Sequence, residues 1–195
     1  MIIATRGSAQ WRGIRISPVN KNMKAIGLDL SLTGTGVIVT DLGSVTHSEC
    51  IKSKPCGKLP TDELVRLLTI ANEIDSIVAK HKPRIAVIEG LAFMAKGTSL
   101  VQLAGLNYFV RTNLYHRNIP FYIVAPTSLK KFVTGSGKGD KNQMLLEIYK
   151  RYGESFLDDN VADAFGLAKI GEAILGGVQL TAFQKEVVEL VSKQS

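Results

Sequence analysis

Three acids stand where divalent cations could be held: Asp29 at the end of the apolar run 24–30 (KAIGLDL), Glu89 at the end of 84–89 (RIAVIE), and Asp163 within 158–168 (DDNVADAFGLA). Carboxylates without histidine or cysteine at ligand spacing suit a hard cation bound through oxygen, Mg²⁺ with Mn²⁺ as its substitute. Two such ions about 4 Å apart can clamp the attacking and leaving oxygens of a phosphodiester, so the chemistry predicted is hydrolysis of nucleic acid. Two polar residues precede Asp163 in the same stretch. Asp159 lies four residues and Asn160 three residues before it, and either shares its helical face. Acids in a first helical turn also serve as caps, which accounts for Asp158 and Asp159 but not for Asp163, a full turn further in.

A second group of residues fits the substrate. The segment 130–141 (KKFVTGSGKGDK) sets Lys130, Lys131, Lys138 and Lys141 around Gly135, Gly137 and Gly139, a flexible basic stretch suited to phosphate contacts. It lacks the spacing of a Walker A loop and does not follow a strand, so no nucleotide cofactor is expected.

The elements that must position these groups follow from periodicity and turn chemistry. Strands are expected over 24–30, 36–41, 45–51, 84–89 and 120–125. Helices are expected over 61–80, 98–117, 127–133, 141–152 and from Asp159 onward. Alternation along the first strand puts Ile26, Leu28 and Leu30 on one side and Ala25, Gly27 and Asp29 on the other, where small neighbours leave room around the acid. The helix over 61–80 reads as capped by Thr61, with Leu64, Leu67, Leu68, Ala71, Ile74, Ile77 and Val78 as its core stripe. A helix between two strands makes them parallel, so Asp29 and Glu89 should emerge at one sheet edge, where open α/β sheets build their sites. The fold class is therefore α/β: a five-stranded mixed sheet, three antiparallel strands followed by two parallel ones, flanked by helices.

Composition agrees with one globular domain: 195 residues, 45% hydrophobic and 21% charged, with no apolar run of the length a membrane span needs. Cys50 and Cys56 read as reduced thiols of a cytoplasmic protein. The net charge of +7 suggests a polyanionic partner, and four of those charges (Arg6, Arg12, Arg15 and Lys21) precede Met23 without a compensating acid. The expected organisation is a basic, loosely ordered extension over 1–22, a nuclease domain over 23–176 and a helical tail over 177–195. The acid-free start also has the composition of an organelle transit peptide.

Together GLDLSLTGTG, IEGLAFMAKG, the basic loop and NVADAFGLA, in this order, resemble the RuvC family of Holliday-junction resolvases over nearly all of Met23 to Gly176. The resemblance implies an RNase H-like fold, a homodimer and Mg²⁺-dependent paired nicking of four-way DNA junctions. It places Asp29, Glu89 and Asp163 at the catalytic acids, and Lys130 and Lys141 at the DNA-binding lysines. Phe93 falls near an aromatic that wedges or stacks at the junction, with Lys96 beside it as a further DNA contact. Two departures stand out. One residue more separates Glu89 from Phe93, and Asn160 occupies a position where the family has Asp or His, so the fourth ligand implied is either Asn160 through its carbonyl oxygen or Asp159 from the adjacent position. The dimer face expected is the helix at 98–117, through Leu100, Leu103, Leu106 and Phe109, with Ala104 and Gly105 permitting close approach. Neighbouring readings are a virus-type branched-DNA or flap endonuclease of the same fold, and a catalytically silent DNA-binding or scaffold protein. An actin-like or sugar-kinase ATPase is set aside because one such unit cannot form a two-lobed cleft.

Overall fold

The computed structural model describes residues 23–91, 97–176 and 178–193. Strands β1 (Ala25–Asp29), β2 (Gly34–Asp41) and β3 (Ser44–Lys52) form an antiparallel meander. Helix α1 (Pro60–His81) then crosses to β4 (Ile85–Glu89), and α2 (Thr98–His116) crosses to β5 (Phe121–Val124). Both crossovers return parallel strands, giving the order β3-β2-β1-β4-β5 with β1 at the centre. Four helices follow: α3 (Pro126–Thr134), α4 (Lys141–Tyr152), α5 (Asp159–Leu175) and α6 (Ala182–Ser192). The five-stranded mixed sheet is the expected one.

Alternation divides the core into two layers, as side chains on a strand must. Ile26, Leu28, Ala86 and Ile88 face α1 and α2, whereas Ile38 and Val87 face α5 and the helices behind it. The stripe of α1 is rotated from the expected one. Ile70 joins Leu67, Ala71, Ile74, Ile77 and Val78 in the core, while Leu64 and Leu68 are exposed. Its N-cap is Leu59 rather than Thr61, because Pro60 supplies the preset first helical position and the Asp62 carboxylate accepts from the Leu59 N–H at 3.0 Å.

Helix α5 is buried on both sides, between the sheet and α3, α4 and α6. Asp158 caps it by accepting from the Asn160 N–H at 3.0 Å, and Gly176, with φ of 83°, ends it in the left-handed conformation. The cap is thus Asp158, not Asp159. Helix α6 packs one face on the core. Val187 and Val191 of α6 are buried, and Gln184 donates to the Phe132 carbonyl.

Candidate active site

The sheet presents the carboxyl ends of β1 and β4 side by side, with Leu28 in register with Ile88, so Asp29 and Glu89 emerge together on the face toward α5. Helix α5 completes the group from above. It approaches so closely because both surfaces are small at the crossing: a Cβ on Gly27 would lie 2.0 Å from the Ala164 carbonyl oxygen, and one on Gly36 would lie 2.0 Å from that of Asn160. Ala164, Ala168 and Gly171 form the helix side of this seam. Asp163, next to the seam, is thereby lowered onto the sheet edge, and one oxygen each from Asp29, Glu89 and Asp163 lie within 4.8 Å of one another.

Burial and mutual repulsion make this cluster costly when ionised. Burial, then the Asp163 charge, raises Asp29 to about 7. Burial, then Asp29, raises Glu89 to about 8, and a hydrogen bond between the two favours the proton on Glu89. Asp163 rises to about 6 through burial, held down in part by the Lys141 ammonium. A divalent cation would relieve both causes at once, and the all-oxygen donor set fits a hard one. Between unfolded values near 4 and folded values of about 6 to 8, the folded chain binds more protons than the unfolded one, so metal-free stability falls as pH rises through that window. Asp75, Asp158 and Glu147, whose values are lowered, act only at more acid pH, while His81, lowered from 6.5 mainly by burial, opposes the fall below pH 6.5, and the three acids outnumber it. Thermal melts in chelator at pH 5 and pH 8 should show this loss, with added Mg²⁺ restoring more at pH 8 than at pH 5; equal Mg²⁺ gains at both would refute it.

The other site residues separate. Asp159 is engaged by Lys141, its Oδ2 accepting from Nζ at 2.7 Å. Asn160 is half-buried with its Nδ2 over Gly34, 3.3 Å from where a Cβ there would stand. Lys130 and Lys141 both lie within electrostatic reach of the acids. Lys131 instead pairs with Glu186 of α6 at 2.6 Å, and Lys138 is exposed. The basic stretch is less flexible than its glycines suggest. Lys130 and Lys131 belong to α3, Gly135 caps that helix with φ of 84°, and the Thr134 hydroxyl bridges to the Ser136 carbonyl before Asp140 caps α4. Phe93 and Lys96 lie outside the described residues.

One charged contact at this edge is not signalled by the motifs: Lys52, at the end of β3, whose Nζ donates to Asp158 at 2.7 Å. Its signal in the chain is Lys52, Lys54 and Lys58 within a stretch that has no acid between Glu49 and Asp62.

A sequence model of the family described as "Crossover junction endodeoxyribonuclease RuvC" matches residues 25–171, a span that contains all three acids. The chain belongs to that family. Among its relatives, the Crossover junction endodeoxyribonuclease RuvC of Endomicrobium trichonymphae is 32% identical over 153 residues, covering 75% of this chain and 78% of that one. The protein of the same name from Prochlorococcus marinus (strain NATL2A) is 31% identical over 157 residues, covering 76% and 97%. Among solved structures, Thermus thermophilus RuvC matches with a TM-score of 0.67 at 18% identity, over 81% of this chain and 99% of that one. The same protein in complex with Holliday junction substrate also gives 0.67, at 21% identity over 82% and 99%. These structural likenesses speak for the shared fold, and the family assignment rests on the sequence matches.

Proposed function

We infer that this protein is an endodeoxyribonuclease that resolves Holliday junctions, the activity for which its relatives are named. The observation that carries the reading is the convergence of Asp29, Glu89 and Asp163 within one family-matched domain. In our reading these three side chains hold the divalent cations, Mg²⁺ with Mn²⁺ as substitute. Bound there, such ions supply a lowered pKa for the attacking water and charge stabilisation for the leaving oxygen. Asn160 is the fourth oxygen donor we favour, because it stands three residues before Asp163 on the same helical face, beside the turn that follows Asp29.

Lys130 and Lys141 bring positive charge beside the acids, and with Lys138 they would hold the phosphates flanking the scissile bond. Lys131 is assigned a lesser part because its ammonium turns to Glu186 of α6 rather than, like those of Lys130 and Lys141, toward the acids. Phe93 and Lys96 keep their proposed contacts with the junction.

Paired nicking needs two sites related by the junction's own two-fold, hence a homodimer. The face of α2 proposed for it differs from the one expected. Leu106 is fully buried, and Leu103 and Phe109 pack on the core, whereas Val101, Tyr108 and Tyr115, seven residues apart, are exposed. The direct test offers the protein four-way, flap and linear duplex DNA in Mg²⁺. Paired, symmetric nicks in the four-way junction, with flap and duplex cut at least tenfold more slowly, are expected. Equal cutting of all three would replace the reading with a general branched-DNA nuclease.

A further inference from the structure

The first turn of α5 does more than cap itself: its two consecutive aspartates each grip a lysine from a different element. Asp159 holds Lys141 of α4 and Asp158 holds Lys52 of β3, both at 2.7 Å. Lys141 thus stands on one side of the helix start and Lys52 on the other.

Sheet geometry fixes where Lys52 stands relative to the acids. Strand β3 runs parallel to β1 across the intervening β2, so its carboxyl end shares the edge that bears Asp29 and Glu89. Asp29 pairs with Gly36, Gly36 with Cys50, and Gly34 with Lys52, and the period of two puts Asp29, Cys50 and Lys52 on the same face. Two strand spacings place β3 roughly 10 Å from β1. A Cβ on Gly34 would lie 3.2 Å from Lys52 Nζ and 3.3 Å from Asn160 Nδ2, so the ammonium borders Asn160 in the first turn of the acid helix.

The side chain of Lys52 remains 65% exposed despite its ion pair. An ammonium carries three donors, of which Asp158 uses one, and an exposed pair of this kind exchanges readily. The chain beyond continues basic. Lys54 and Lys58 are exposed and have no acidic partner among the described residues. The segment is anchored beside the turn that follows Asp29, since the Ser53 N–H donates to the Thr33 carbonyl at 3.3 Å and the Arg66 guanidinium donates to the Leu32 carbonyl and the Ser53 hydroxyl.

Resting on the junction-endonuclease reading, we propose that Lys52, Lys54 and Lys58 form a second phosphate-binding surface, across the acid cluster from Lys130 and Lys141, with Asp158 as the positioning residue that presets Lys52. The substrate strand then crosses the acids with its backbone gripped on both sides, and the first turn of α5 sets the two grips. Asn160, between the lysine pairs, keeps the first turn from adding a further negative charge where a phosphate must pass.

The test is the salt dependence of binding, because a lost phosphate contact changes that slope whereas a purely structural ion pair does not. Anisotropy of a labelled linear duplex and of a labelled four-way junction is followed over a KCl series without divalent cation. The parent, Lys52→Gln, Lys52→Arg and the triple Lys52→Gln, Lys54→Gln, Lys58→Gln variant are compared. Lys52→Gln should lower the log–log slope by about 0.9 and the triple variant by two to three times as much, while Lys52→Arg keeps the parental slope. A parental slope in Lys52→Gln overturns the proposal, whatever the triple variant does. Nicking of the junction by the parent in Mg²⁺, run alongside, decides the functional reading separately, since slopes on linear duplex do not depend on junction recognition.

Discussion

Glu89→Gln should abolish cleavage and, in the same molecule, raise the stability of the metal-free protein. The two effects have one origin. Glu89 is pressed by burial and by Asp29 until it retains a proton to about pH 8, so its ionised form is an expense the fold bears only where a cation repays it. An amide of the same shape removes the repulsion and with it a ligand charge. We expect cutting to fall by roughly 10³-fold or more, the equivalent of several kcal/mol of lost charge stabilisation. Melting in chelator at pH 8 should rise by a few degrees, since about 1 kcal/mol moves a domain of this size by ~2–4 °C. Asp29→Asn should behave alike. Junction affinity without metal should persist, because phosphate contacts carry it. A variant that loses activity and stability together would mark Glu89 as structural, and wild-type nicking by Glu89→Gln would end the assignment of the site.

Gly27→Ala carries a large expected cost to the fold from a single methyl group. The added Cβ would stand 2.0 Å from the Ala164 oxygen and 2.4 Å from the Ala168 nitrogen. Both atoms are helix backbone, so no rotamer change relieves the clash, and α5 must move off the sheet. Overpacking of this kind costs about 1–3 kcal/mol or more, and a fully buried central strand puts this case at the upper end, a melting loss of roughly 10 °C. The displaced helix also takes Asp163 away from Asp29, so the Mg²⁺-dependent gain in melting temperature should shrink. Gly105→Ala is the control, because its Cβ meets only Leu67 Cδ1 at an ordinary 3.4 Å. Calorimetry of the three proteins with and without Mg²⁺ checks both points, and a Gly27→Ala protein as stable as Gly105→Ala would show that the close seam does not constrain the site.

What the chain alone determined is its order of elements and the pairing of two acids. Asp29 and Glu89 each end an apolar run, and the helix between those runs obliges the strands to lie parallel, so local periodicity and chain direction sufficed to bring them to one edge. The RuvC-like motifs extended this to Asp163. Only the tertiary structure decided how Asp163 arrives. The small residues beside Asp29 read as space around the acid, whereas the fold fills that space with α5, which rests on Gly27 and Gly36. It also divided the parts of two adjacent aspartates, keeping Asp158 as the cap and giving Asp159 to Lys141. It turned Leu106 inward on α2 and left Tyr108 out, and it brought in Lys52 from a strand that carries no motif. The physical division is one of range. Strand and helix periods and crossover sense are set by neighbours along the chain, but the rotation of a helix on its own axis and its distance from a sheet are set by every side chain in the contact at once.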